Sequence, residues 1–265
     1  MRLREVAIGI MAATLLFAIM LAVTLGGTGW TPSTEIRPLA KFYLENCFNV
    51  FNKDLWAASP EAVCAMLWDY RGIDTYYETA VFFLAVIGGV AIFRVAEIKI
   101  SVTRERQRGL SIIVKSVSRI VFPLIVITSA SVAFHGHLTP GGGFQAGSIL
   151  AIAPLVLIAA FSRHFIEEDL RLTKDKCLTL RTVGLIAIAL IVAIPILAGA
   201  MALMQNQVKP WSHHFSYPEA LGPLWLAGSL FFYNVAEYLT VGAGFTLLFL
   251  LMSIPEEEFR RILKL

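Results

Sequence analysis

Six long apolar runs, separated by polar or basic segments, set the pattern along this 265-residue chain. They lie at about Val6–Leu25, Tyr77–Ile98, Ile112–Phe134, Phe144–Ser162, Val183–Met204 and Leu224–Ile254. The runs are continuous and do not alternate, so they fit helices that satisfy their own backbone hydrogen bonds and not strands of a barrel. About 20 apolar residues rise far enough to cross a hydrocarbon core of roughly 30 Å. The expected fold class is an all-α membrane protein with six transmembrane helices. Arg2 and Arg4 give the first run the basic start of a signal peptide. Its apolar core exceeds the roughly 7–15 residues of a signal sequence, which favours a retained helix. The last run is longer than one crossing needs, and tilt or a start at the membrane surface near Pro223 accommodates the excess. In the long segment 26–76, Ile36–Phe51 is amphipathic and aromatic, and Pro60 opens a short helix toward Trp68. Pro123 and Pro195 are candidate kinks in helices three and five.

Composition agrees. Apolar residues make up 57% of the chain and charged residues 15%, against about 25% charged in soluble domains. Most of the 22 Lys and Arg fall before run one, between runs two and three, between runs four and five (Arg163 to Arg181), and after run six. By the positive-inside rule this places both termini in the cytoplasm, which six crossings allow. The net charge of +3 thus argues topology, with anionic lipid as the natural neighbour of the bases, and no nucleic-acid motif accompanies it. Of the three cysteines, Cys177 has no partner. Cys47 and Cys64 share an outer loop, where free thiols or a disulfide are both open.

Two polar motifs interrupt this apolar pattern. The segment from His135 to Gly147, HGHLTPGGGFQAG, joins runs three and four. Pro140 stops a helix, and Gly141, Gly142 and Gly143 permit positive φ and close backbone approach. A phosphate loop is excluded, since no Lys-Ser/Thr follows and no strand precedes. The segment resembles the signature GH-x-x-PGGGF-x-x-G of the B subunit of Mrp-type Na+/H+ antiporters, the MnhB family, and so includes Phe144 and Gly147. The second motif, Trp68 to Glu78, contains DYRGIDTYYE. It is similar to a D-[FY]-R-G-x-D-T-x-x-E string in the C-terminal extension of the Mrp A subunit and in a small subunit of archaeal membrane-bound hydrogenases. Asp69, Arg71, Asp74, Thr75 and Glu78 keep the order of that string, whereas Tyr76 and Tyr77 replace its usual Leu-Gly. The resemblances imply residues 1–100 as a two-helix unit like the A-subunit extension and 101–265 as a four-helix MnhB-like domain. They also imply a prokaryotic cell membrane, with an archaeal sulfane sulfur reductase or hydrogenase complex as the setting.

Several residues are candidates for ion chemistry. Glu237 lies inside the last apolar run with Asn234 one turn earlier. A carboxylate at helix centre costs about 2.5–3.5 kcal/mol, so it faces protein or water. It reads either as a buried neutral acid bonded to a neighbour or as a group that handles a proton or Na+. Glu78 heads the second run with Asp74 one turn before it, and neighbouring carboxylates oppose each other's ionisation and suit a hard cation. An interfacial residue without a role is the alternative, and the resemblance favours an ion pathway of Glu78, Asp74, Glu237 and Asn234. His135 and His137 form a poor metal set but a possible proton relay. Asp69 and Arg71 belong to the structural motif, with Pro140, the three glycines, Phe144 and Gly147. Lys115 and Arg119 are explained by snorkelling to headgroups.

CxxC clusters, haem-spaced histidines and Rossmann patterns are missing from the sequence. No cofactor is therefore expected in this chain, and no catalytic residue or metal is assigned. Na+ and H+ are the expected cargo, and Fe–S clusters are expected only in partner subunits. The expected function is a non-redox membrane subunit that helps form a Na+ path and scaffolds Mrp-like antiporter subunits, with a ferredoxin-linked redox module as a further partner. Alternatives are a purely structural subunit and a subunit of a stand-alone Mrp antiporter. A self-sufficient transporter lacks the internal repeat it usually shows.

Overall fold

The computed structural model describes residues 3–25, 35–100 and 109–254, with side chains for 8–25, 35–93 and 109–254. The elements are α1 (Leu3–Thr24), α2 (Pro38–Cys47), α3 (Ala62–Ala65) running into a π turn at Met66–Tyr70, α4 (Gly72–Ile100), α5 (Ile112–His135) and α6 (Gly143–Ala160). A second π turn at Phe165–Asp169 precedes α7 (Lys174–Leu197); then come β1 (Ala220–Leu221), β2 (Leu224–Trp225) and α8 (Ser229–Met252). The chain divides into two compact units, residues 1–41 and 42–265. The described side chains of α1 in the first unit are all exposed.

Among the described residues, five helices are long and apolar enough to cross a membrane: α4 over Gly72–Phe93, α5, α6, α7 and α8. This corrects the expectation of six. The described apolar part of α1, Ile8–Thr24, is too short to qualify, and Arg2, Arg4 and Glu5 charge the residues before it. The even number that placed both termini in the cytoplasm lapses with the sixth crossing. The two-plus-four arrangement becomes one crossing before residue 101 and four after it among the described residues, and α4 packs on α8 inside the second unit. Of the basic segment between runs two and three, residues 101–108 lie outside those described. Two boundaries move as well. The antiparallel β1–β2 hairpin, turning at Gly222 (φ 61°), takes up residues expected in the last crossing. The fifth helix begins at Lys174, which puts Arg181 inside a span and not in a loop.

In the second unit α8 is the centre. Its small residues and those facing it allow the other helices in closely, as packing between membrane helices requires. A Cβ on Gly147 of α6 would meet Val241 and Gly242, and one on Gly244 would meet Phe82 of α4. A Cβ on Gly184 of α7 would collide with Thr240. Pro123, Pro154 and Pro195 lie within α5, α6 and α7.

Residues 47–71 and 204–228 interlock as a cap at the end of the bundle where α4 and α8 begin. Asn206 donates to the Ala57 carbonyl (2.8 Å) and accepts from the Ser229 N–H (2.8 Å), so a loop residue caps α8. Trp225 Nε1 donates to the Ala58 carbonyl at 2.7 Å. Lys209 Nζ donates to Asp69 Oδ2 (2.8 Å) and to the Trp56 carbonyl (3.0 Å). Cys47, Cys64 and Cys177 are free and buried.

Candidate functional site

The N-terminus of α6 meets α8 because residue 143 is glycine. A Cβ there would lie 2.5 Å from the Asn234 carbonyl and 2.7 Å from Glu237 Oε2. With no side chain in the way, the Phe144 N–H donates to Glu237 Oε2 at 3.1 Å. That N–H belongs to the first turn of α6, where backbone donors lack helical partners and a carboxylate is a favourable acceptor. Glu237 itself is 6% exposed. One turn earlier on α8, Asn234 is fully buried; its Nδ2 donates to Cys64 Sγ at 3.5 Å.

Glu78 comes to the same place from α4. Together Glu78, Glu237, Asn234, Thr75, Cys64, Gly141, Gly142, Phe144 and Gln145 line a cavity of about 230 Å³ floored by Leu67 and Trp68. Thr75 is fixed by donating to the Leu67 carbonyl at 2.8 Å. Glu78 is exposed and Glu237 buried, so the cavity carries one carboxylate at its rim and one in its wall. Oxygen donors of this kind suit a hard cation or a transferred proton. Burial pushes the Cys64 thiol up to about 12, with the Asn234 bond opposing, so it stays protonated at neutral pH.

The other expected residues lie elsewhere. Asp74 pairs with Arg71 on an exposed surface and does not line the cavity. Asp69 does not pair with Arg71: its side chain is 2% exposed and bound to Lys209. Burial raises the Asp69 pKa, while the Lys209 ammonium pulls it back. His135 Nδ1 lies 3.1 Å from the Ser131 carbonyl at an exposed helix end. His137 is buried; Nε2 donates to the Trp225 carbonyl at 2.7 Å, leaving Nδ1 without a partner among the described residues. Burial lowers its pKa, so the ring is neutral. Pro140 is exposed at the turn before the glycines, and Gly147 packs on α8 one turn past Gly143. No group of three or more His, Cys, Asp or Glu suited to a metal occurs among the described residues.

Sequence reasoning missed Cys64, Thr75 and Gln145 in the cavity, and Lys209 and Asn206 in the cap. Thr75, in the DYRGIDTYYE string, and Gln145, at a variable position of HGHLTPGGGFQAG, carried a signal. Cys64, Asn206 and Lys209 sit in stretches where nothing in the spacing marks them.

Comparison with known proteins adds a family. Residues 113–247 match the domain related to the MnhB subunit of Na+/H+ antiporters. The antiporter subunit mnhB2 of Staphylococcus haemolyticus is 32% identical over 96 residues, 36% of this chain and 66% of that protein. An uncharacterised protein of Methanocaldococcus jannaschii is 28% identical over 119 residues, covering 40% of this chain and 45% of that protein. The chain thus spans less than two thirds of the length of either relative. A chain of the membrane-bound sulfane sulfur reductase, an archaeal respiratory membrane complex, shares the fold with a TM-score of 0.62 at 21% identity, over 92% of this chain and 97% of that one. A chain of the Mrp complex from Dietzia sp. DQ12-45-1b superposes with a TM-score of 0.55 at 16% identity, over 93% of this chain and 26% of that one.

Proposed function

This chain belongs to the MnhB-related family of Na+/H+ antiporter subunits, and from that premise we propose that its Glu78–Glu237 cavity is a segment of a cation path. The chain is a multi-pass membrane subunit of an MnhB-type antiporter module. In our reading residues 1–100 act as an extension like that of the Mrp A subunit and 101–265 as the MnhB-like part. The observation that carries the path is the meeting of Glu78 from α4 and Glu237 from α8 in one cavity, against Gly141, Gly142 and Phe144. Na+ or H+ would exchange between the rim carboxylate and the wall carboxylate, with Asn234 as a neutral ligand. The likeness over nearly the whole of a sulfane sulfur reductase chain supports a respiratory complex as the setting, with redox clusters in other subunits.

One observation favours a second reading. Glu237 accepts from the Phe144 N–H, so it also serves as a brace for the loop. Glu237→Gln separates the two, because an amide oxygen keeps that acceptor and loses the charge. In everted membrane vesicles holding the assembled complex, we expect Glu78→Gln and Glu237→Gln each to cut Na+-dependent proton movement at least about tenfold, a general acid–base or ligand loss of ordinary size. Subunit composition should stay unchanged. Full transport in both variants would reject the path, and full transport in Glu237→Gln alone would leave that residue the brace, since its amide oxygen still accepts from the Phe144 N–H.

A further inference from the structure

Four helices of the second unit leave an apolar groove of about 310 Å³ between them. Phe122 of α5, Leu150 and Pro154 of α6, Cys177 of α7 and Gly242 of α8 are among its walls, with Leu170 and Leu172 from the loop before α7. It shares no lining residue with the carboxylate cavity. α5 and α7 begin, and α6 and α8 end, at one edge of the bundle. There the Leu110 N–H donates to the Ala160 carbonyl at 2.8 Å, and Phe161, Ile166, Cys177 and Leu251 belong to one buried cluster. Leu170 and Leu172 stand at that edge. On α6 and α8 the deepest lining residues, Leu150 and Gly242, lie ten residues inward from the helix ends at Ala160 and Met252. That is roughly 15 Å at 1.5 Å per residue, about half of a hydrocarbon core of roughly 30 Å. The groove therefore has the depth of one leaflet.

Two exposed arginines flank the outer end. Arg171 sits between the two lining leucines, with a left-handed backbone (φ 53°) that a residue with a side chain adopts at a cost. The Leu170 and Leu172 N–H groups hold this loop in place by donating to the Phe165 (3.2 Å) and Ile166 (3.0 Å) carbonyls. One residue separates the Arg171 Cα from the groove wall on either side, so its long side chain is within reach of the opening. Arg119 precedes the lining Phe122 by one turn, and its guanidinium carbon lies 5.2 Å from the centre of Phe161, the residue after α6. Among the described residues no carboxylate pairs with either arginine, and Glu167 and Glu168 are taken by Arg163 and His164. We propose that the groove holds an acyl chain of an anionic phospholipid whose phosphate is bound at the outer end by Arg171 and Arg119. A guanidinium fork suits a phosphate, and apolar walls one leaflet deep suit its chain. A partner helix crossing the whole core would be matched over only half its length. The proposal needs the bundle to lie in a membrane and is independent of the cation path.

The test returns the complex, purified through a tag on this chain, to phosphatidylcholine nanodiscs that contain phosphatidylglycerol with a diazirine in one acyl chain. Cross-links on this chain should concentrate at Phe122, Leu172 and Leu180, which line the groove, and not at Ile113 and Ile120 on the exposed face of α5. Val126→Trp fills the groove from α5. Arg119→Gln with Arg171→Gly removes both charges, and glycine accepts the left-handed backbone at 171. Each change should cut the groove cross-links at least about tenfold, the weight of one lost charged contact in the second case. Arg119→Lys with Arg171→Lys should keep most of them. Should Val126→Trp disperse the complex, the exposed arginine pair decides alone. Label spread evenly over α5, or equal groove label in wild type and the charge-removed variant, would overturn the proposal and leave ordinary surface lipid. Equal capture of a diazirine-bearing fatty acid would also overturn it, by showing that the phosphate is not what is bound. So would a photo-cross-linker at Leu180 that captures another subunit in place of lipid.

Discussion

Gly143 shows how a single hydrogen atom in place of a side chain sets the geometry of the cavity. A Cβ would press against Glu237 Cβ and Oε2 and the Asn234 carbonyl, and that Cβ and that carbonyl are fixed to the backbone of α8. Gly143→Ala should therefore cost about 1–3 kcal/mol, the usual range for overpacking a tight core. A lower melting temperature in detergent would show it, with Ser148→Ala as the control, since that hydroxyl bonds only the Phe144 carbonyl of its own helix. At this scale the sequence was partly legible. An acid in an apolar run announces itself, and so do three glycines after a proline. The acceptor role of Glu237 stayed hidden because its donor is a backbone N–H, which no residue type encodes. Asp69 was legible as part of a string, but its counterion lies 140 residues away.

The cap is the element whose energetics are easiest to probe. Asp69 and Lys209 form an ion pair with side chains 2% and 10% exposed. Breaking such a pair strands a buried charge, which costs about 3–5 kcal/mol, whereas replacing both partners with apolar groups is often neutral. Asp69→Asn should thus destabilise the protein strongly, and Asp69→Leu with Lys209→Met should recover most of the loss. Thermal unfolding of the two variants decides it; equal losses in both would show that the pair matters by packing and not by charge. Element boundaries were less legible than element existence. The second strand of the hairpin, Leu224–Trp225, looks apolar in sequence and so merged with α8, although Gly222 and Pro223 mark a turn. Likewise Arg181 read as a loop base, because a charge near the end of an apolar run usually marks its boundary.

For the molecule as a whole, the informative quantity is which helix the others surround. α4 and α8 have the same hydropathy, yet 61% of the most apolar stretch of α8 is buried inside the chain and only 11% of that of α4. Hydropathy reports transfer into oil and is blind to whether the oil is lipid or protein, so the order of the helices was beyond the sequence. The glycines of α8 held the clue. Hydrogen exchange in detergent should find α8 amides the slowest and α4 amides faster, with α4 gaining protection in the assembled complex. Equal protection of both helices in the isolated chain would contradict this arrangement.

The two carboxylates of the cavity are supplied by the first and the last of the five crossing helices. A nascent chain that has reached the bilayer but stopped short of Ser229 holds Glu78 without its opposite wall. On the cation-path reading proposed above, the conduit is complete only once α8 has packed against α4, so a partly made chain holds no half-built leak.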